Sequence, residues 1–359
     1  MLPEIADRFA AAVVAQRILG RLEQPFTAGE EEVFISASIG IATFPEDGQT
    51  AEVLLRNADT AMYHAKQLGK AAYQYYSDEM NAASVERMTL ENGLRKALDD
   101  HRLELHYQPQ VDIRTGSIVG AEALIRWHDP VRGYISPDTF IPIAESGGLI
   151  LQLGEWILRE AIRQAAEWRR QGLPVVPVSI NVSGTQFRRQ DIVAIVRDAL
   201  ERSSLPAAAV SIEITETSLM SALDRAADVL GELRELGVRT ALDDFGTGYS
   251  SLSYLKSFPI DSLKIDRSFI AEMLTDEKTA ALTDAIVNLT RILDIRVIAE
   301  GIENAEQCRY LRQLGCAIVQ GYLFSPAVPA AAFADLLREP PTQWMGLLDN
   351  APEGTYFVI

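Results

Sequence analysis

The sequence predicts an α/β fold, a TIM-like (β/α)8 barrel with an antiparallel first strand, preceded by an incomplete α+β segment. Three observations predict it. From Leu103 onward short apolar runs alternate with amphipathic stretches of helical period. The runs number eight, and about 240 residues is the size of a barrel with outer helices. Between the first two runs lies only Asp112-Ile113-Arg114-Thr115-Gly116-Ser117, too short for a crossover helix, so those two should form an antiparallel hairpin.

Ahead of the barrel, Glu32 to Thr43 reads as a strand. Ala51 to Leu68 follows as a helix, with Val53, Leu54, Ala58, Ala61, Met62, Ala65 and Leu68 on one side and Gly69 as its stop. Ser77 to Asp100 is a helical connector of mixed charge. The divisions expected are residues 1–80, a connector over 81–100, and the barrel over 101–345. The eight runs are Leu103 to Val111, Val119 to Trp127, Pro177 to Ser183, Ser211 to Glu216, Thr240 to Phe245, Ser262 to Arg267, Val297 to Gly301 and Ile318 to Phe324. Helices are expected over Leu149 to Gln171, Asp191 to Arg202, Leu223 to Leu236, Glu277 to Leu293 and Ala305 to Leu314, with a short one near Leu252 to Lys256. Strands joined by helices should run parallel.

The formal net charge of -17 repels polyanions, which argues against polymeric nucleic acid as a ligand. A small anion remains admissible if cations invert the charge locally. No apolar stretch approaches the roughly 20 residues that cross a bilayer, and Met1-Leu2-Pro3-Glu4 lacks the order of a signal peptide. This portion is therefore expected in the cytoplasm, with no membrane segment, although a longer parent chain could be anchored. Cys308 and Cys316 form no CxxC pair and read as buried thiols of a reducing compartment.

Barrel active sites collect at the C-terminal ends of strands, and here those ends are rich in oxygen donors. Along the runs stand Glu122, Asn181, Glu213 with Glu216, Asp243 with Asp244, then Lys264, Glu300 with Glu303, and Gln320. A carboxylate in an apolar strand is costly unless something neutralises it, and here the pattern recurs on strand after strand. Carboxylates with one amide oxygen and no cysteine or histidine pattern suit Mg²⁺ or Mn²⁺ rather than Zn²⁺. Adjacent Asp243 and Asp244 point opposite ways on a regular strand, so both can serve only if the chain turns, and Phe245 to Ser251 is expected to supply that turn. That stretch is not a GxGxxG loop, since position 251 is serine.

At these residues the sequence resembles the EAL-domain cyclic di-GMP phosphodiesterases, from about Leu90 to Leu337. Tyr107-Gln108-Pro109, Glu122-Ala123-Leu124-Ile125-Arg126-Trp127, Asn181-Val182-Ser183, Glu213-Ile214-Thr215-Glu216, Asp243 to Leu252, Leu263-Lys264-Ile265-Asp266, Glu300-Gly301-Ile302-Glu303 and Gln320-Gly321-Tyr322 carry it. The resemblance implies hydrolysis of cyclic di-GMP to linear 5′-pGpG with two Mg²⁺ or Mn²⁺ ions per site. It implies one metal held by Glu122, Asn181, Glu213 and Asp243, and a second held or oriented by Asp243, Asp244 and Glu300. Lys264 and Glu300 resemble the groups that position and deprotonate the water. Gln108 and Arg126 look like substrate contacts, and Gln320 like a donor lining the site. Glu216 resembles a loop anchor and Glu303 a supporting group behind the ligands. No expected functional position is substituted. Without the resemblance, Lys264 reads as a surface lysine at a strand end and Arg126 as the partner of a neighbouring acid.

The front of the chain has its own likeness. Phe34 to Ala42 and Ala58 to Lys66 look like the C-terminal portion of a GGDEF domain, without the motif, the metal-binding aspartate and the phosphate loop of a cyclase. Two other functions stay open: a receptor that binds cyclic di-GMP without turning it over, and a scaffold that dimerises through the barrel. A complete metal set argues against the first, and retention of Lys264 and Asn181 against the second. Incubated with GTP, the purified chain should make no cyclic di-GMP, and chromatographic detection of that product would overturn the reading of residues 1–80.

Overall fold

The apolar positions collect into two cores. The computed structural model, which describes residues 8–29, 31–67, 71–246, 255, 257–341 and 344, divides accordingly into units Met1–Gly93 and Leu94–Ile359. In the first unit α1 (Arg8–Leu22) precedes a hairpin of β1 (Phe26–Ala28) and β2 (Glu31–Val33), and then come β3 (Ile39–Ile41), α2 (Ala51–Gln67) and β4 (Tyr73–Tyr75). Ala11, Ala15 and Ile41 pack with Ile39, Tyr73 and Tyr75. A Cβ at Gly40 would lie 1.8 Å from the Ala58 carbonyl oxygen, so glycine is what lets β3 press against α2. The single strand expected over Glu32 to Thr43 is in fact two, β2 and β3. Its two halves have different partners: Val33 pairs antiparallel with Phe26, whereas Ile39 pairs parallel with Tyr73, and the chain must leave one ladder to join the other. The Gly69 stop lies outside the described residues.

Helix α3 (Asp78–Asp99) leads to the second unit, whose strands are β5 (Leu103–Asp112), β6 (Ser117–Asp129), β7 (Gly133–Ile135), β8 (Val178–Val182), β9 (Val210–Thr215), β10 (Arg239–Phe245), β11 (Ser262–Ile265), β12 (Arg296–Ala299), β13 (Ile318–Val319) and β14 (Val328–Pro329). Strands β6, β8, β9, β10, β11, β12 and β13 pair in parallel in that order. β5 closes the circle, antiparallel both to β6 and to β13. Short β7 and β14 extend the rim on β6 and β5.

Helices Ile150–Arg170, Ile192–Ser203, Leu223–Leu236, Glu277–Ile292 and Ala305–Leu314 link successive strands. Their ends follow the sequence: the Asp191 side chain accepts from Ala194 N–H, Asn304 and Gln307 form a reciprocal capping box, and Gly237 and Gly315 take left-handed C-cap geometry. The short helix expected near Leu252 to Lys256 falls mostly outside the described residues. Cys308 and Cys316 are free and buried, and burial pushes both thiols up to about 12. No described helix is long and apolar enough to cross a membrane.

The outward face of β5 is fastened by aromatic packing. Tyr107 sits edge-on to Trp168 at 4.7 Å between ring centroids, Trp168 packs on Phe333 at 5.0 Å, and the Trp168 indole N–H donates to the Ala330 carbonyl at 3.2 Å. Phe333 is fully buried. Phe333→Ala should destabilise the barrel by about 3–5 kcal/mol, and a denaturant midpoint unchanged from the parent would show that this cluster does not hold the closing strand.

Candidate active site

Alternate residues of a strand face opposite sides, so each barrel strand sends every second side chain inward. Counting by twos, β5 presents Gln108 and Gln110, β6 Glu122, β8 Asn181, β9 Glu213, β10 Asp243, β11 Lys264, and Glu300 and Gln320 follow β12 and β13 at the same level. The register supports this layer, with Gln108 opposite Glu122 and Asn181 opposite Glu213.

Lys264 stands at its centre. Its Nζ lies 2.6 Å from Glu213 Oε2 and 2.6 Å from Glu300 Oε1, 3.2 Å from Asp243 Oδ1 and 3.4 Å from Glu122 Oε2. It is 1% exposed and Glu213 is 0% exposed, so water screens this cluster little. Glu122 is held in place by amides: Asn181 Nδ2 donates to one oxygen at 2.7 Å and Gln320 Nε2 to the other at 2.5 Å. Gln320 Nε2 also donates to Gln108 Oε1 at 3.0 Å, while Gln108 Nε2 donates to the Ser325 carbonyl at 3.0 Å. A Cβ on Gly321 would meet the Ile302 carbonyl oxygen at 2.1 Å, so the residue after Gln320 must be glycine for this approach.

Asp244 joins from the wrong parity. It adopts φ of +54°, a left-handed conformation uncommon for a residue with a Cβ, and the pairing of β10 with β11 shifts register between Leu242 and Phe245. Oxygens of Asp243, Asp244 and Glu300 thereby lie within 4.8 Å of one another. The turn expected from Phe245 onward thus begins one residue earlier, at Asp244 itself, and residues 247–251 lie outside the described set. Glu216 Oε2 accepts from Gly246 N–H at 3.4 Å, tying the end of β9 to the end of β10.

Two expected site residues stand apart from this cluster. Arg126, four residues beyond Glu122 on β6, is half-buried and donates from Nη1 to the neighbouring Ile125 carbonyl at 2.9 Å. Burial holds its pKa below the usual arginine value, and the charge of Glu122 works against that lowering. Glu303 is exposed, and its backbone N–H donates to Gln307 Oε1. One residue was missed: Gln110, whose Nε2 donates to Gln320 Oε1 at 3.3 Å. Its signal was the same count of two from Gln108.

Five carboxylates here face one ammonium. Burial alone would lower the pKa of Lys264, but Glu122, Glu213, Glu300 and Asp243 outweigh it and hold the ammonium well above its usual range. Burial likewise opposes ionisation of Glu122, yet Lys264, Gln320 and Asn181 keep it below the ordinary carboxylate value. The remaining acids bear the imbalance. Burial, then the neighbouring acids, push Glu213 up to about 8 and Glu300 well above the usual range, while burial and Asp243 raise Asp244. Glu213 Oε1 is buried without a hydrogen-bond partner. An all-oxygen donor set, an orphaned carboxylate oxygen and a deficit of positive charge together fit oxygen-preferring divalent cations.

Comparison with known proteins agrees with this picture. The EAL domain family matches residues 91–327, and the family of the diguanylate cyclase GGDEF domain matches residues 1–72. The chain is 44% identical over 330 residues to the bifunctional diguanylate cyclase/cyclic di-GMP phosphodiesterase MucR of Pseudomonas aeruginosa, covering 92% of this chain and 48% of that protein. It is 40% identical over 333 residues to the cyclic di-GMP phosphodiesterase PdeR of Escherichia coli, covering 93% of this chain and 50% of PdeR. It therefore spans about half the length of these curated relatives. Among solved structures, the PaMucR phosphodiesterase in complex with c-di-GMP superposes with a TM-score of 0.66 at 44% identity, over 68% of this chain and 99% of that one. The cAMP-bound EAL enzyme Bd1971 does so with a TM-score of 0.68 at 34% identity, over 80% and 78% respectively.

The charge imbalance has a measurable consequence without added cation. Glu213 keeps its proton up to about 8 in the folded chain but loses it near the ordinary 4.5 when unfolded. Between those values the folded state binds more protons, so stability falls as pH rises through the window. Thermal melts in EDTA should show Tm dropping from about pH 5 to about pH 8, with a shallower drop for Glu213→Gln. Equal slopes for the two proteins would remove Glu213 from this account.

Proposed function

Because this chain belongs to the EAL domain family and carries a partial GGDEF segment ahead of it, we propose that it hydrolyses cyclic di-GMP to linear 5′-pGpG in the cytoplasm. The observation that carries the reading is the buried carboxylate ring around Lys264, short of positive charge and open towards Asn181 at the strand ends.

We assign Glu122, Asn181, Glu213 and Asp243 to one Mg²⁺ or Mn²⁺ ion, and Asp243, Asp244 and Glu300 to a second. Asn181 Nδ2 already serves Glu122, which leaves its Oδ1 for a cation. When bound, such ions lower the pKa of a water and neutralise phosphoryl oxygens. The chain's own groups do the rest. Lys264 fixes the directions of Glu213 and Glu300 by short ion pairs, so that Glu300 stands ready to take the proton of the attacking water. The water oxygen bonds to phosphorus, the bond from phosphorus to the 3′ oxygen breaks, and the leaving oxygen takes up the proton that Glu300 received from the water, which gives the 5′-phosphorylated product. Gln108 and Gln320 hold Glu122 in its orientation through their amide chain. Arg126, outside the ring and half-buried, is placed for charge-assisted contact with a nucleotide phosphate at the mouth.

Turnover separates these roles. Replacing Asp243 and Asp244 together by asparagine should lower kcat by about 10³-fold or more while the fold persists. Arg126→Ala removes a contact worth about 1.5–3 kcal/mol and should chiefly raise KM, by about 10-fold or more. Assays of cyclic di-GMP hydrolysis in saturating Mn²⁺ measure both, and near-normal kcat in the double asparagine variant would sink the metal assignment. Mg²⁺ or Mn²⁺ should support the reaction and Ca²⁺ should not, because its longer bonds and higher coordination number spread the ligand cluster.

A further inference from the structure

The count of two that builds the carboxylate layer can be continued toward the other end of the barrel. Two residues before Asn181, Glu213 and Lys264 stand Ser179, Ser211 and Ser262, and four before Asp243 and Glu300 stand Arg239 and Arg296. With Gln110, these side chains line a small inner chamber of about 20 Å³, room for a single water-sized atom group. It adjoins an outer chamber of about 300 Å³ walled by Arg114, Thr290, Arg291 and Gly315 among others, and the two share Arg296 and Ile318.

Two features of this end point to an anion. Ser179, Ser211 and Ser262 are 4%, 5% and 3% exposed, yet none of their hydroxyls forms a hydrogen bond among the described residues. Their hydroxyl oxygens keep access to solvent, unlike the sealed orphan Glu213 Oε1, so they open onto the chamber and can donate to an occupant. Arg239 and Arg296 form no ion pair among the described residues, and burial followed by the charge of Arg239 lowers the pKa of Arg296. Asp261 also acts on Arg296, but its Oδ2 is engaged by the Thr240 backbone N–H at 2.8 Å. In the outer chamber Arg114 is paired with Asp112, and Arg291 donates to the Leu314 carbonyl. Two unpaired guanidinium groups facing one chamber in a chain of charge -17 are a local inversion of its field.

We propose that the N-terminal end of the barrel binds a small phosphate-bearing anion. Its phosphate group sits between Arg239 and Arg296, one oxygen enters the inner chamber to accept from the serine hydroxyls, and the body of the ligand occupies the outer chamber. Two guanidinium forks plus three hydroxyls offer more donors than the two oxygens of a carboxylate can use, whereas a phosphate has oxygens for all. The roof of the chamber is Gln110, whose amide reaches Gln320 and through it Glu122, so the two ends of the barrel share one hydrogen-bond chain.

The test uses the whole chain in EDTA, which keeps divalent cations out of the carboxylate layer. Inorganic phosphate and ribose 5-phosphate are titrated separately, with ³¹P line broadening and thermal shift as readouts. Saturable binding of at least one is expected, and tighter binding of the sugar phosphate identifies a phosphomonoester over free phosphate. Arg239→Gln with Arg296→Gln should weaken it by about 10-fold or more, while the double asparagine variant of Asp243 and Asp244 should bind as the parent does. Ser211→Val, which fills the inner chamber and leaves both charges, should also weaken binding and decides the matter if the arginine variant does not fold. Absence of binding to both probes, binding that survives Ser211→Val, or binding lost with the aspartates would overturn the proposal.

Discussion

A closed barrel leaves its inward side chains nowhere else to go. Because each strand alternates faces, the choice of one inward residue fixes those two before and two after it, and the register between strands then fixes the level at which neighbours meet. Apart from Asp244, which a left-handed turn brings in against the alternation, the carboxylate layer follows from that constraint. Gln108 lies opposite Glu122 and Asn181 opposite Glu213, and the polar layer so formed stacks directly on another of serines and arginines.

Within the polar layer the constraint becomes electrostatic. A buried lysine is stable only if paired, and buried carboxylates only if neutralised. Lys264 satisfies its own need several times over, with four carboxylates within salt-bridge range, but one positive charge cannot serve them all. The fold distributes the deficit unequally. Glu122, with two amide donors, is held below the ordinary carboxylate value, while burial and the neighbouring acids push Glu213 and Glu300 above it. The shortage of positive charge thus falls on the acids that the amides leave unprovided.

Much of this was legible in the sequence. The eight apolar runs located the barrel strands, seven of them to within two residues at each end and the last, Ile318 to Phe324, overrunning a strand that stops at Val319, since strand length and spacing are local signals, and the carboxylates stood out because an acid in an apolar run is conspicuous. What was not legible depends on partners far apart in sequence. The break between β2 and β3 reflects two ladders competing for one stretch. The inward swing of Asp244 rests on a backbone angle that no residue pattern encodes, aspartate being merely one of the few side chains to tolerate it. Arg239 and Arg296 lie just outside the apolar runs, and only closure of the sheet brings them to one chamber.

The reversed first strand has a geometric corollary. In a barrel of uniformly parallel strands the polypeptide is threaded in from the floor. Here β5 begins where β6 ends, with Leu103 beside Trp127 and Glu104 beside Arg126, so the thread comes in over the rim on which Arg126 stands. Inlet and carboxylate layer therefore lie toward the same end of the barrel, and the layer of serines and arginines lies toward the other.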